Sequence, residues 1–163
     1  MSKFLTSVDI RDLGYRPPER VTDYLFAFLR RRRWQVLQDI VYYSSYLERE
    51  ITVPERFVCD LSSVPRIPIV FLLFGERAIG PSIVHDWLYF AYEWEKVSRR
   101  DSDIVFFEAM GTDGEDYIVT TRASMYAGVR AGGFRAWNRW REYQSNYYHL
   151  YDKLFFQNKE GSS

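Results

Sequence analysis

The sequence predicts an α+β fold, in which a small antiparallel sheet packs against three or four helices. Segments rich in aromatic and β-branched residues fill the first sixty positions, whereas from Pro81 onward apolar residues recur at helical spacing. A chain of 163 residues has the size of one ordinary domain, and no repeat or linker marks a second one. We therefore treat residues 1–163 as a single domain.

The first part of the chain predicts an arm followed by strands. Residues 1–20 are irregular and punctuated by glycine and proline, which indicates an N-terminal arm that lies on the body or reaches a neighbour. Residues 24–33 and 34–43 are strand-like, and the second segment alternates loosely between apolar and polar positions. Residues 48–61 continue as extended structure, which Pro54 limits to an edge strand or a two-part course.

Residues 82–94 predict the first helix, with Pro81 suited to its first turn. His85 and Tyr89 are separated by four positions and therefore share one helical stripe. This helix places an imidazole in an otherwise apolar segment.

A second helix begins after Ser98, whose role as N-cap is supported by Asp101 three positions later, as in a capping box. Asp103 differs from Asp101 because it shares a face with three apolar residues, Phe106, Phe107 and Met110. We therefore expect Asp103 to point inward.

The last third of the chain predicts two more helices. Residues 117–131 form the third, and Gly132-Gly133 ends it. Residues 134–157 follow as an aromatic C-terminal helix, and residues 158–163 as a disordered tail. The aromatic stripe is typical of core packing against the sheet, and a docking surface or a membrane-interface contact is the alternative.

Composition restricts the function. The 22 Lys and Arg residues balance 22 Asp and Glu residues, so no nucleic acid partner is expected. The single cysteine, Cys59, excludes an intramolecular disulfide framework, and the N-terminus lacks the apolar core of a signal peptide. The longest apolar stretch, residues 67–74, is too short to be a transmembrane segment. These features predict a protein made in a reducing cytoplasm.

The candidate catalytic residues are His85, Tyr89 and Asp103. A neutral imidazole is the usual general base near pH 7, and a carboxylate that contacts its far ring nitrogen fixes the tautomer. Asp103 is suited to that role, and Tyr89 can donate its hydroxyl to Asp103. The alternative is a buried polar network in which these three residues satisfy one another and tie two helices together.

Asp86 and Asp60 are candidate metal ligands. Asp86 points about 100° around the helix from His85, so it is available for a cation or for the substrate side of a cleft. Oxygen ligands from these two residues and from the loop at 75–80 favour calcium or magnesium, whereas the lone Cys59 and distant His149 do not form a zinc motif. Ser62 and Ser63 lack the Gly-x-Ser-x-Gly context of a hydrolase nucleophile.

Three motifs resemble a family of small uncharacterised proteins encoded by tailed phages and bacteria. They are the segment 51–65 with its Asp-Leu-Ser-Ser-Val-Pro ending, the His-Asp-Trp-Leu-Tyr run at 85–89, and the helical residues Arg100, Asp103, Phe106, Phe107, Glu108 and Ala109. The resemblance covers residues 51–110. It implies a phage or prophage origin and no particular activity.

The run at 85–89 and the later acid are also similar to the phospholipase A2-like pattern. In that pattern the histidine is the base for an attacking water, the adjacent aspartate binds calcium, and the tyrosine and later aspartate orient the histidine. The resemblance implies these roles for His85, Asp86, Tyr89 and Asp103. The glycine-rich calcium loop of the pattern has no counterpart in residues 75–80.

Two hypotheses follow from the sequence. The first is a phage-encoded hydrolase that acts on an ester or another cell-envelope bond through water activated by His85, with or without a divalent cation. The second is a non-enzymatic virion or assembly protein that docks onto itself or other phage proteins through its N-terminal arm and aromatic C-terminal segment. Both place the protein in the host cytoplasm when it is made, and the second also places it in the virion.

Overall fold

The computed structural model describes residues 1–15, 32–61, 79–112 and 119–155. Within these ranges it contains six strands and three helices, which confirms the predicted α+β class. The predictions for residues 24–31, 62–78 and 158–163 lie outside the described residues, as do the side chains from residue 142 onward.

The strands form two three-stranded antiparallel sheets, whereas the sequence predicts one. The strands are β1 (Lys3–Phe4), β2 (Ile10–Tyr15), β3 (Arg32–Val36), β4 (Ile40–Ser44), β5 (Arg49–Val53) and β6 (Val58–Cys59). One sheet has the order β1-β4-β5 and the other has the order β2-β3-β6. The strand predicted at residues 34–43 is therefore two strands, because the chain leaves one sheet and enters the other between Val36 and Ile40.

The turn between the two sheets is fixed by polar contacts. The Asp39 carboxylate accepts a hydrogen bond from the backbone N–H of Glu55, at 2.8 Å. The Leu37 N–H donates to the Asp9 carbonyl, at 2.9 Å. Pro54 lies between β5 and β6, so the two-part course predicted for residues 48–61 is confirmed.

Two strands, β1 with two residues and β2 with six, lie within the described part of the predicted N-terminal arm. β1 pairs with β4, in the register Phe4 to Tyr42, and β2 pairs with β3, in the register Ile10 to Val36. Phe4, Val8 and Ile10 pack against the core. The irregular local pattern does not predict either strand, because long-range pairing determines both and the two-residue β1 has no readable periodicity. Residues 16–20 lie outside the described part.

The three described helices are α1 (Ile79–Phe90), α2 (Arg99–Ala109) and α3 (Val119–Phe155). α1 is buried from Gly80 to Phe90 and contributes much of the main core. It ends four residues earlier than predicted, since the chain turns at 92–96, where Glu95 accepts hydrogen bonds from the Trp87 indole and the Arg49 guanidinium. The predicted capping box of Ser98 and Asp101 is confirmed at the start of α2.

α3 is one continuous helix of 37 residues, so the prediction that Gly132-Gly133 ends a helix is wrong. Gly132 and Gly133 together cost about 2 kcal/mol of helix propensity, which the packing of α3 against α1 and α2 offsets. Within the described ranges, no helix combines the length and the apolar character needed to cross a bilayer.

Candidate active site

Asp103 lies at the junction of the three helices. Its side chain has no exposed surface, and Phe106 in α2 and Met110 at the C-cap of α2 are also fully buried. The apolar spacing of α2 therefore turns this carboxylate inward, as predicted. A buried carboxylate is costly unless hydrogen bonds compensate it, so its partners determine what the site can do.

Three side chains donate hydrogen bonds to Asp103. His85 Nε2 lies 2.8 Å from Oδ1, and the Tyr89 hydroxyl donates to the same oxygen at 2.6 Å. Arg130 Nη1 donates to Oδ2 at 2.7 Å. The structure thus brings together the three candidate catalytic residues predicted from the sequence and adds an arginine from α3.

The contact with Asp103 determines the tautomer of His85. An ionised carboxylate only accepts hydrogen bonds, so the neutral imidazole carries its proton on Nε2 and has its basic lone pair on Nδ1. The ring is held between Tyr89 and Phe106, with centroids 4.2 Å and 5.0 Å away. Only 1% of His85 is exposed. This arrangement presents an oriented base in a tightly packed environment.

Burial and hydrogen bonding shift the ionisation of the site residues. Burial lowers the pKa of His85, and this effect outweighs the opposing influence of Asp103. Burial acts to raise the pKa of Asp103, but the hydrogen bonds from His85, Tyr89 and Arg130 outweigh it and hold that pKa below its ordinary value. Burial, with the neighbouring Asp103 carboxylate, raises the pKa of the Tyr89 hydroxyl. Near neutral pH the site therefore holds a neutral imidazole, a carboxylate and a protonated tyrosine.

Arg130 is the residue of the site that the sequence analysis does not single out. It lies on the helical face of α3 that Val119, Ala123 and Tyr126 share, and its side chain is 33% exposed. Arg99 lies nearby and donates to the backbone carbonyl of Arg130 at 3.2 Å. The available signal was an arginine on an otherwise apolar helix face, but its partner 27 positions away could not be read from local spacing.

The two predicted metal ligands each lie near Cys59. Asp86 is buried in α1 and Asp60 is half-buried after β6. Burial raises the pKa of the Cys59 thiol, and the charges of Asp86 and Asp60 contribute to the same rise, so both carboxylates are close to this thiol. Within the described ranges, no three His, Cys, Asp or Glu side chains form a group that could hold a metal ion. The metal role of Asp86 and Asp60 stays a prediction.

Other candidates fall outside the described residues. Ser62, Ser63 and residues 75–78 are not described, and residues 79 and 80 form the start of α1. His149 lies in α3, but its side chain is not described.

A second polar cluster surrounds Glu108 on α2. Its carboxylate accepts hydrogen bonds from the hydroxyls of Ser2, Ser44 and Tyr42, at 2.6, 2.7 and 3.2 Å, and from the Tyr46 N–H at 2.9 Å. These donors come from the first residues of the chain, from β4 and from the turn after it. The cluster fastens α2 to the sheet and so fixes the helix that carries Asp103.

Gly132 and Gly133 provide a matched pair that tests how closely α3 approaches the site. A Cβ at Gly132 would meet nothing within 4 Å, so Gly132→Ala is expected to stabilise the protein by about 0.5–1 kcal/mol through helix propensity. A Cβ at Gly133 would lie 2.5 Å from the Tyr89 hydroxyl oxygen, so Gly133→Ala is expected to destabilise it by about 1–3 kcal/mol. Urea unfolding measures both changes. Stabilisation by both substitutions would contradict the close approach.

These features define an α+β protein with a buried network of histidine, aspartate, tyrosine and arginine where three helices meet. Residues 34–129, more than half of the chain, match the model of a family described as a protein of unknown function, DUF1353, and the chain belongs to this family. The match includes His85, Tyr89 and Asp103 and ends one position before Arg130. No curated protein and no solved structure gives a significant match to the chain.

Proposed function

We propose that the protein is a hydrolase in which His85 is the general base that activates water. The observation that carries the proposal is the 2.8 Å contact between His85 Nε2 and the fully buried Asp103 carboxylate. A carboxylate on the far nitrogen of an imidazole fixes the tautomer and stabilises the cation that forms when the base takes a proton. Burial lowers the pKa of His85, which keeps the base in its neutral, proton-accepting form at neutral pH.

The substrate class is an ester, following the similarity of residues 85–89 and Asp103 to the phospholipase A2-like pattern. His85 Nδ1 takes a proton from water while the water oxygen bonds to the ester carbonyl carbon. The resulting imidazolium then gives that proton to the leaving alkoxide as the carbon–oxygen bond of the ester breaks. Asp103 stays ionised throughout, and Tyr89 and Arg130 hold its two oxygens in place.

The proposed mechanism does not depend on a cation. Calcium takes six to eight oxygen ligands in proteins, whereas Asp86 and Asp60 offer two carboxylates and the described residues show no cluster of three ligands. Each assay therefore includes arms with calcium, with magnesium and with a chelator. Loss of turnover in the chelator arm that one cation restores would mean that this cation takes part in the reaction. Asp86 and Asp60 would then be its candidate ligands.

Hydrolysis is expected to persist at neutral pH and to fall on acidification below about pH 6.5. The rate falls at low pH because only neutral His85 accepts a proton, and burial holds the pKa of His85 below the ordinary value of 6.5. The dependence of the rate on pH is measured as the initial rate of nitrophenol release from a short-chain nitrophenyl ester. Mixed phosphatidylcholine and phosphatidylglycerol vesicles test lipid esters in parallel. Absence of turnover on both substrates in all three cation arms would remove the hydrolase proposal for esters.

Burial of the network favours a second candidate, a non-enzymatic component of a phage particle. With 1% of His85 exposed and Asp103 bonded to three donors, the network also has the form of a purely structural tie between helices. Two features weigh against docking through the predicted arm and stripe: β1 and β2 are paired within the sheets, and Trp137 and Trp140 pack on Tyr89, Tyr92 and Phe90 of the body. Under this candidate, substitutions in the network change stability or assembly without affecting any turnover.

A further inference from the structure

We infer that Arg99 and Arg130 form a binding subsite for a phosphate group beside the buried network. The proposed function uses Arg130 only to hold Asp103 and gives Arg99 no role. The inference goes beyond that function, because it concerns the binding of an anion and holds with or without turnover. Its basis is that two guanidinium groups meet at a single carboxylate.

Arg99 and Arg130 approach the network from two different helices. Arg130 comes from α3 and donates to Asp103 Oδ2 at 2.7 Å. Arg99 comes from α2, where its Nη1 donates to the backbone carbonyl of Arg130 at 3.2 Å and its guanidinium also interacts with the Tyr89 hydroxyl. That hydroxyl donates to Asp103 Oδ1 at 2.6 Å. One guanidinium group thus contacts Asp103 directly, and the other reaches it through Tyr89.

Positive charge exceeds negative charge among these arginines and Asp103. Asp103 balances Arg130, with which it forms an ion pair at 2.7 Å. Arg99, in contrast, forms no ion pair with any carboxylate of the residues that the structure describes. Arg99 is half-buried, so water hydrates its charge only in part. One positive charge is therefore available to an anion that comes from outside.

The remaining N–H groups of both arginines are accessible to such an anion. A guanidinium has five N–H donors, and Nη1 of each arginine makes one of the hydrogen bonds given above. The Arg130 side chain is 33% exposed, and no unbonded side-chain nitrogen of either arginine is buried. Gly132 and Gly133, which follow on α3, carry no side chain that could cover Arg99. The subsite is therefore open to solvent.

Phosphate suits two guanidinium groups better than a carboxylate does, because its tetrahedral oxygens can accept hydrogen bonds from both arginines at once. A carboxylate has only two oxygens, which one planar guanidinium can already occupy. Hydrogen bonds between charged partners are also shorter and stronger than neutral ones, and the rigid fork of arginine matches phosphate oxygens in pairs. The ligand class is therefore a phosphate group, whether free or part of a monoester or a diester.

The test is isothermal titration calorimetry of the full chain with inorganic phosphate at pH 7 and constant ionic strength. Arg99→Met is expected to weaken phosphate binding about tenfold or more, since it removes charged donors from a partly buried position. The matched control is Arg100→Met, which removes the same charge from the next, exposed residue of α2. Its affinity is expected to stay within about twofold of the parent value, because salt screens an exposed charge.

A second titration uses glycerophosphocholine, a soluble phosphodiester. Tighter binding of inorganic phosphate identifies a free phosphate or a monoester as the ligand, and tighter binding of the diester identifies a diester headgroup. A parent protein that binds neither probe would overturn the inference.

Two results with the variants would also overturn it. One is a folded Arg99→Met protein that binds phosphate as the parent does, and the other is an Arg100→Met protein that loses as much affinity as Arg99→Met. Backbone amide NMR of the parent decides the matter where Arg99→Met does not fold. Phosphate is expected to shift the signals of Arg99 and Gly132 most, and largest shifts elsewhere would contradict the subsite.

None of these measurements requires turnover. An inactive protein that binds phosphate through Arg99 would remove the proposed function and leave the subsite in place. A protein that hydrolyses esters but binds neither probe would remove the subsite and leave the proposed function in place.

Discussion

Replacing His85 with glutamine is expected to lower ester turnover by about 10²–10⁴-fold, the usual contribution of a general base. Glutamine removes the basic lone pair of the imidazole, but its amide N–H can still donate to the Asp103 carboxylate. The substitution therefore separates the chemical role of His85 from its part in holding the helices. The measurement is the initial rate of ester hydrolysis at pH 7.5, together with the midpoint of thermal unfolding.

His149→Gln is the matched control, because it makes the same substitution at the other histidine of the chain. It is expected to retain full turnover. A His85→Gln protein that stays folded and hydrolyses the ester at the parent rate would exclude His85 as the base. Loss of stability with unchanged turnover would favour the structural candidate, in which the imidazole only completes a buried network.

The central part of the site could be predicted because its signals are local. The inward orientation of Asp103 follows from its shared face with Phe106 and Met110, and the N-cap role of Ser98 follows from Asp101 three positions later. The pairing of His85 with Asp103 needed only that two consecutive helices pack side by side. Helical periodicity carries this information within about ten residues.

The features that escaped prediction depend on distant parts of the chain. β1 consists of two residues whose strand conformation comes from pairing with β4, about 40 positions later. Arg130 belongs to the site because α3 packs over the site, and nothing in the sequence around Arg130 identifies Asp103 as its partner. The role of Gly133 also depends on a distant residue. A glycine pair normally indicates a helix end, but here the missing side chain makes room for the Tyr89 hydroxyl. Packing between α1 and α3 therefore outweighs the tendency of the glycine pair to end a helix.

Asp103→Ala is expected to lower the free energy of unfolding by about 3–5 kcal/mol, the largest stability effect we foresee in the network. The substitution leaves the His85 and Tyr89 donors buried without their acceptor and opens a small cavity where three helices meet. Arg130 contributes less to this loss, since its side chain is 33% exposed and can turn toward water. Urea unfolding at pH 7, followed by circular dichroism, measures the change.

Asp101→Ala is the control, because it removes the same side chain from the same helix two positions away. Asp101 closes the capping box with Ser98 and accepts a hydrogen bond from the Tyr46 hydroxyl, all near the surface, so its loss is expected to cost about 0.5–2 kcal/mol. The difference between the two losses of unfolding free energy measures how much more the buried carboxylate at the helix junction contributes than the one near the surface. Equal losses would mean that Asp103 is not the centre of the network, and the case for an oriented His85 would lose its main support.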